Sequence, residues 1–163
     1  MKKAILVIVS VMLVIIVLLV IGKKSLYTDI IINAPVDKVW KEFADFPEYP
    51  RWNPFIRKVS GEMKTGGSIQ ITIQPKGHKP VDFNPTLIRY DEKSTVQWEG
   101  KLFIPGLFTG RHIFHLVRLE NGKTKFIQKE DFNGILVPFI NLDSTLEGFR
   151  EMNALLKKRV EAR

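Results

Sequence analysis

The sequence contains no cysteine, and this absence excludes several classes of function at once. Disulfide bonds, thiol nucleophiles and thiolate-ligated metal ions all require cysteine side chains. The three histidines, His78, His112 and His115, do not show the spacing with a carboxylate that is typical of a metal site. The sequence also lacks a glycine-rich phosphate loop, a Walker pattern and a nucleophile elbow. We therefore expect neither a metal ion nor another cofactor.

A strong excess of one charge is also missing from most of the chain. The net charge of +8 comes from 25 basic and 17 acidic residues. Four of the basic residues, Lys2, Lys3, Lys23 and Lys24, flank the apolar N-terminus, and setting them aside leaves 21 basic residues and a net charge of +4. A nucleic-acid-binding surface needs a basic cluster with interleaved aromatic side chains, and none stands out. We expect a mixed-charge surface and no nucleic-acid partner.

The N-terminus carries a long apolar run from Ala4 to Gly22, interrupted only by Ser10 and Gly22 itself. A helix of this length spans about 28 Å, close to the hydrocarbon thickness of a bilayer. The run is longer than a signal-peptide core and lacks a small-residue cleavage pattern. We therefore predict an uncleaved single-pass transmembrane anchor, in preference to a cleaved signal or a buried core helix. Lysines on both sides give almost no orientation preference, and the short leading tail favours an extracytoplasmic soluble domain.

The rest of the chain reads as one domain, so we predict an anchor over residues 1–24 and a soluble domain over residues 25–163. Strand signals recur throughout the domain, and the clearest is the period-two alternation from Ser68 to Gln74. Asn121-Gly122 marks a hairpin between two further strands. Pro85 is expected to interrupt a strand from Val81 to Tyr90. Together these signals predict an antiparallel sheet of about six to seven strands.

Two kinds of helix accompany these strands. Pro35 is expected at the first position of a short helix whose apolar face is formed by Val36, Val39, Trp40 and Phe43. A long helix from Asp143 to about Glu161 closes the chain with an apolar stripe. Only this helix is long enough to cover one face of a curved sheet. The predicted fold class is therefore α+β, with a gap between the sheet and the final helix.

A set of motifs spread over residues 27–162 carries a family resemblance: Ala34-Pro35, Val39-Trp40, Asp45-Phe46-Pro47-Glu48-Tyr49, Trp52-Asn53-Pro54-Phe55, Trp98-Glu99-Gly100, Gly110-Arg111-His112, Phe114, Gln128, Glu130, Phe132 and Gly134. As a set they resemble the SRPBCC superfamily, which includes START-like lipid carriers, polyketide cyclase/dehydrase-like proteins and Bet v 1-like pocket proteins. The resemblance implies the helix-grip fold, in which the gap between sheet and helix is a ligand cavity.

The last hairpin supplies the candidate polar residues of this cavity. Period-two counting places His112, Phe114 and Leu116 on one face of their strand. On the partner strand Gln128 and Glu130 share a face with two phenylalanines, while charged residues occupy the opposite face. Buried polar groups need a partner, which is another side chain, water or a ligand. The structural alternatives are a satisfied hydrogen-bonded pair and a pair at the strand ends that reaches solvent.

By resemblance, Trp52, Phe55 and Trp98 fall on the cavity wall, although the aromatic residues are also explained as ordinary core. The candidate cavity residues are Trp52, Phe55, Trp98, His112, Phe114, Phe126, Gln128, Glu130, Phe132 and Phe149. Two loops, residues 104–108 and 135–140, are more apolar than most loops. They are either core plugs or an entrance that faces the bilayer.

The leading functional hypothesis is a membrane-anchored binding domain that holds a hydrophobic small molecule or lipid without a required reaction. One alternative is a polyketide cyclase/dehydrase-like enzyme, with Glu130, His112 or Tyr90 as acid–base groups. A second alternative is a protein-interaction module of the Hsp90-activator-like type. The expected partners are thus a hydrophobic ligand or lipid and the membrane itself.

Overall fold

The structure is a computed structural model that describes residues 2–102 and 105–162. It begins with the apolar helix α1 (Lys2–Ile21), of whose described residues none is buried. Within the described ranges, this is the one helix long and apolar enough to span a membrane. Only Gly22 separates it from strand β1. The strands of the fold therefore start immediately where the apolar helix ends.

The described chain contains eight strands, arranged in two antiparallel sheets that curve around one helix. The strands are β1 (Lys23–Ile32), β2 (Ile56–Gly61), β3 (Ile69–Ile73), β4 (Val81–Phe83), β5 (Thr86–Asp91), β6 (Thr95–Leu102), β7 (Phe108–Arg118) and β8 (Thr124–Asn133). Their order is β1-β8-β7-β6-β5 in the larger sheet and β2-β3-β4 in the smaller one. A bridge between Ser68 and Thr86 links the two sheets.

The sequence predicted about six to seven strands, and Pro85 explains much of the difference. The predicted strand from Val81 to Tyr90 is divided at this proline into β4 and β5, which pair in different sheets. Proline cannot donate to a sheet ladder, so it marks the place where one pairing ends and another begins. Strand β6 is described as far as Leu102, and residues 103–104 lie outside the described ranges.

The helices follow the sequence pattern closely. They are α1, α2 (Val36–Phe43), α3 (Tyr49–Trp52) and α4 (Asp143–Ala162), with short 3₁₀ turns at Phe46–Glu48 and Val137–Phe139. Pro35 lies one position earlier than expected, at the N-cap of α2, because its ψ of 155° is extended. Its carbonyl accepts hydrogen bonds from the N–H groups of Lys38 and Val39, which starts the helix.

Helix α4 fills the concave side of the larger sheet. Its buried stripe contains Phe149, Met152, Leu156 and Val160, which matches the predicted apolar face. One polar residue, Asn153, interrupts the stripe and is equally buried. It donates to Thr28 Oγ1 at 3.0 Å and accepts from the Nε2 group of Gln128 at 2.6 Å. Asn153 thus connects α4 to both β1 and β8 through a buried polar chain.

A buried ion pair fixes the other end of α4. Arg159 lies 2.6 Å from the carboxylate of Glu42 on α2, and both side chains are largely shielded from solvent. The guanidinium carbon of Arg159 also lies 6.0 Å from the ring centroid of Trp52, within cation–π range. Through these contacts Arg159 connects the last turns of α4 to Glu42 on α2 and to Trp52 on α3.

Candidate functional site

A cavity of about 260 Å³ lies between the larger sheet, the smaller sheet and the first turns of α4. Its walls are mainly apolar. The smaller sheet and the segment before it contribute Phe55, Ile56, Ile71, Ile73 and Phe83, and the segment before α4 contributes Ile140 and Leu142. The polar or charged residues in the lining are Lys101, His112, Glu130 and Thr145. An apolar hollow with a few convergent polar groups is typical of a small-molecule site.

Two glycines explain why the hollow is empty of protein atoms. Gly100 on β6 and Gly110 on β7 are directly paired, and both line the cavity. A Cβ atom on Gly110 would lie 2.8 Å from Glu130 Oε1 and 3.5 Å from a ring carbon of Phe132. The missing side chains therefore leave room both for the cavity and for the Glu130 carboxyl group.

His112 and Glu130 form the polar pair on the cavity wall. They are cross-strand partners on β7 and β8, and His112 Nδ1 lies 3.3 Å from Glu130 Oε2. The side chains are 3% and 16% exposed, respectively. The imidazole ring is stacked on Phe114, with centroids 4.3 Å apart, and its position is further fixed by Trp98 at 5.0 Å and Phe149 at 4.8 Å.

The second ring nitrogen of His112 is not engaged by the pair with Glu130. Nε2 is buried and has no hydrogen-bond partner among the described residues. A buried polar atom without a partner is costly, and such atoms are uncommon in folded proteins. Its place in a residue that lines an apolar cavity suits a hydrogen bond to a bound molecule.

Five of the ten residues predicted for the cavity line it, namely Phe55, Trp98, His112, Glu130 and Phe132. They come from β6, β7, β8 and the segment before β2. The sheet register explains the grouping, because Trp98 pairs with His112, which in turn pairs with Glu130. Three adjacent strands therefore present these three side chains in one row across the concave face.

The other five predicted residues lie outside the lining. Phe114 and Phe126 pack against Phe43 of α2, with ring centroids 5.0 Å and 5.3 Å away. Phe149 lies behind Phe55 and His112. Gln128 is buried in the core, where it is hydrogen-bonded to Asn153. Trp52 lies at the edge of the core and packs against Tyr49 and Arg159.

Sequence reasoning also missed part of the wall. The side chains of Ile71 and Ile73 line the cavity, together with Phe83 from β4. The alternation over Ser68 to Gln74 put the isoleucines on one face, but it did not show which face meets the hollow. Tyr90, considered as an acid–base group, packs on Trp40 with ring centroids 5.8 Å apart and is not in the lining. Burial, followed by the nearby Glu92 charge, raises its pKa.

Charged side chains of β6 and β7 neutralise one another. Glu99 is hydrogen-bonded to Arg111 at 2.6 Å and forms an ion pair with Lys101 at 2.9 Å. The hydrogen bond from Arg111, and then that from Lys101, lowers the pKa of the Glu99 carboxyl group. Glu99 is therefore ionised at neutral pH and offsets the cations beside it.

Comparison with protein families gives a match over most of the chain. The sequence model of the family described as "Polyketide cyclase / dehydrase and lipid transport" matches residues 23–161. No curated protein matches the sequence. The matched region begins at the first residue of β1 and ends near the end of α4, so that it leaves out only the apolar helix and the chain end.

Solved structures share the architecture at low sequence identity. Ginseng major latex-like protein 151 from Panax ginseng has a TM-score of 0.68 and 12% identity, over 85% of this chain and 97% of that chain. A norcoclaurine synthase point mutant from Thalictrum flavum, in complex with a transition-state analogue, has a TM-score of 0.62 and 13% identity, over 86% and 95%. Zhui aromatase/cyclase from a Streptomyces species has a TM-score of 0.59 and 18% identity, over 86% and 95%. These likenesses confirm the predicted helix-grip fold.

Proposed function

Because the chain belongs to the polyketide cyclase/dehydrase and lipid transport family, we propose that it is a membrane-anchored domain that binds a hydrophobic small molecule or lipid. The family match confirms the SRPBCC resemblance of the sequence, and family and fold together support a hydrophobic ligand-binding fold. The observation that carries the proposal is the largely apolar cavity of about 260 Å³ with one polar pair on its wall.

Membrane anchoring is the second part of the proposal, and α1 supports it. The helix has 20 residues, and the described residues of its exposed surface include fifteen large hydrophobic side chains between Ile5 and Ile21. Such a surface is stable in hydrocarbon and unfavourable in water. In this proposal residues 1–24 form the anchor, residues 25–163 form the binding domain, and the domain lies on the extracytoplasmic side.

The cavity also indicates which ligand chemistry fits. Most of the wall can only make apolar contacts, so most of the ligand surface must be apolar. His112 Nε2 is buried and has no partner within residues 2–102 and 105–162, and Glu130 Oε2 lies 3.3 Å from the other ring nitrogen. A ligand that carries one hydroxyl or carbonyl group on an apolar body would satisfy this nitrogen. Whether Nε2 donates or accepts this hydrogen bond depends on which ring nitrogen of His112 carries the proton.

Native mass spectrometry of the full chain tests the proposal. Protein purified from cells in mild detergent is expected to carry a hydrophobic small molecule or lipid, which organic extraction releases. Empty protein would contradict binding if, in addition, it took up nothing from a panel of lipids. Glu130→Gln is a second variant for the same measurement. If the domain only binds its ligand, extraction should release the same molecule from Glu130→Gln and from the wild type.

His112→Phe tests the polar contact within the cavity. Phenylalanine keeps the stack on Phe114 but removes both ring nitrogens, so a ligand with a polar group should bind about tenfold more weakly. Isothermal titration would measure the change. A matched analogue without the polar group should bind both proteins equally.

The control for this prediction is His115→Phe on the opposite face of β7. His115 is hydrogen-bonded to Thr95 at 2.9 Å and does not line the cavity. Its replacement should leave ligand affinity unchanged. Equal affinity of the wild type and His112→Phe for the polar ligand would show that the nitrogen makes no contact with it.

The same pair supports one alternative function. A histidine and a carboxylate in contact inside a cavity are suited to acid–base chemistry, and the family description includes cyclases and dehydrases. In that case the molecule bound to Glu130→Gln would differ in mass from the product recovered with the wild type. Accumulation of such a substrate would favour an enzyme over a binding domain.

A further inference from the structure

The register of the larger sheet places one end of four strands beside the end of α1. Strand β1 begins at Lys23, one residue after Gly22, and Lys23 pairs with Asn133 at the end of β8. Asn133 pairs in turn with Thr109 near the start of β7, and the end of β6 pairs with the beginning of β7. Antiparallel pairing therefore fixes this edge of the sheet next to the apolar helix.

The connection after β8, residues 134–141, lies at this edge and is bonded to the end of α1. The N–H of Gly134 donates to the carbonyl of Gly22 at 2.9 Å. Lys24 Nζ donates to the carbonyl of Ile140 at 2.8 Å. The N–H groups of Ile135 and Leu136 donate to the loop before β7, at 3.0 Å and 3.1 Å. The connection is thus held against both neighbours by backbone hydrogen bonds.

Residues 134–141 are apolar although several of them are exposed; Gly134 and Val137 are buried. They include no charged residue, and their one polar side chain is Asn141. Phe139 is 74% exposed and Leu136 is 37% exposed. A single exposed hydrophobic residue needs no explanation. Here, however, the connection that carries them is hydrogen-bonded to Gly22, which directly follows α1, and to the side chain of Lys24. Apolar side chains next to lysines are typical of a surface that lies in a membrane interface.

We propose that residues 134–141 form a second contact with the lipid bilayer, beside the anchor. Leu136 and Phe139 enter the boundary between headgroups and acyl chains, and Lys23 and Lys24 lie at the level of the headgroups, where anionic lipids attract them. The inference depends on the proposed anchoring by α1. Since Ile140 lines the cavity, this contact also holds one cavity wall at the bilayer surface.

Fluorescence quenching in vesicles tests the contact, and the absence of native cysteine makes the labelling specific. The full-length variant Phe139→Cys is labelled with an environment-sensitive dye and reconstituted into phosphatidylcholine–phosphatidylglycerol vesicles with brominated acyl chains. Its emission is expected to fall at least twofold relative to vesicles without bromine. Leu136→Cys provides a second label position with the same expectation.

The matched control is Glu120→Cys, in the exposed turn at the other end of the β7–β8 hairpin. The length of β7, roughly 33 Å, separates this turn from the edge of the sheet beside α1. A label on the turn should therefore not be quenched. Flotation of the vesicles shows whether a negative result concerns the second contact alone or the anchoring as well. Labelled chains that float with the vesicles but show no quenching at residues 136 and 139 would overturn the second contact alone. Chains that do not float would overturn the anchoring and the contact together.

Discussion

Gly110→Leu is expected to weaken ligand binding about fiftyfold. Gly110 lines the cavity, so a leucine side chain would project from β7 into the space that the ligand occupies. Excluding about three methylene-sized groups of a ligand costs about 0.8 kcal/mol each, or about 2.4 kcal/mol in total. The new Cβ would meet the end of the flexible Glu130 side chain, which can move. Titration with the lipid or small molecule identified by mass spectrometry would measure the dissociation constant.

Ile113→Phe is the control for Gly110→Leu, because it adds bulk to the same strand on the face away from the cavity. Its ligand affinity should match that of the wild type. Circular dichroism would establish that both variants are folded. A folded Gly110→Leu protein with unchanged affinity would contradict the assignment of the cavity as the binding site.

Phe149→Ala is expected to lower the free energy of unfolding by about 3–5 kcal/mol. Phe149 is fully buried and packs on Phe55, with ring centroids 5.4 Å apart, and on His112. Removal of its ring forfeits those contacts and leaves a void that the surrounding strands can only partly fill. Because a domain is typically stable by about 5–15 kcal/mol in total, the loss is large. Urea unfolding in detergent, followed by tryptophan fluorescence, would measure it.

Phe139→Ala provides the matched comparison, since it makes the same chemical change at a residue that is 74% exposed. In detergent its unfolding free energy should change by less than about 0.5 kcal/mol.

The void left by Phe149→Ala would adjoin the cavity behind His112, so a bulkier ligand should recover part of the lost stability. If the urea midpoint of Phe149→Ala equalled that of the wild type, Phe149 would not support the cavity wall.

The sequence predicts much of the fold because hydrophobic periodicity is a local property. Counting alternate residues places His112, Phe114, Gln128 and Glu130 on the inner face of the last hairpin, and the observed register pairs them with one another. The stripe of α4 was equally visible. Local periodicity therefore identified both the curved sheet and the helix that covers it.

Periodicity does not tell how far along a strand the helix stays in contact with the sheet. Phe114 and Gln128 share the inner face with His112 and Glu130, yet the first two are covered by α2 and α4 and the last two meet the cavity. That division depends on side chains far away in sequence, such as Asn153, which approaches Gln128 across 25 positions. No local pattern contains this information.

The single residue between α1 and β1 has a mechanical consequence. A long glycine- or serine-rich linker behaves as a flexible coil and would let a tethered domain tumble above its anchor. Gly22 gives no such freedom, because its own carbonyl is bonded to Gly134 in the domain. The domain and α1 therefore turn together. Under the proposed anchoring, a partner that diffuses in the membrane would always meet the domain in the same orientation.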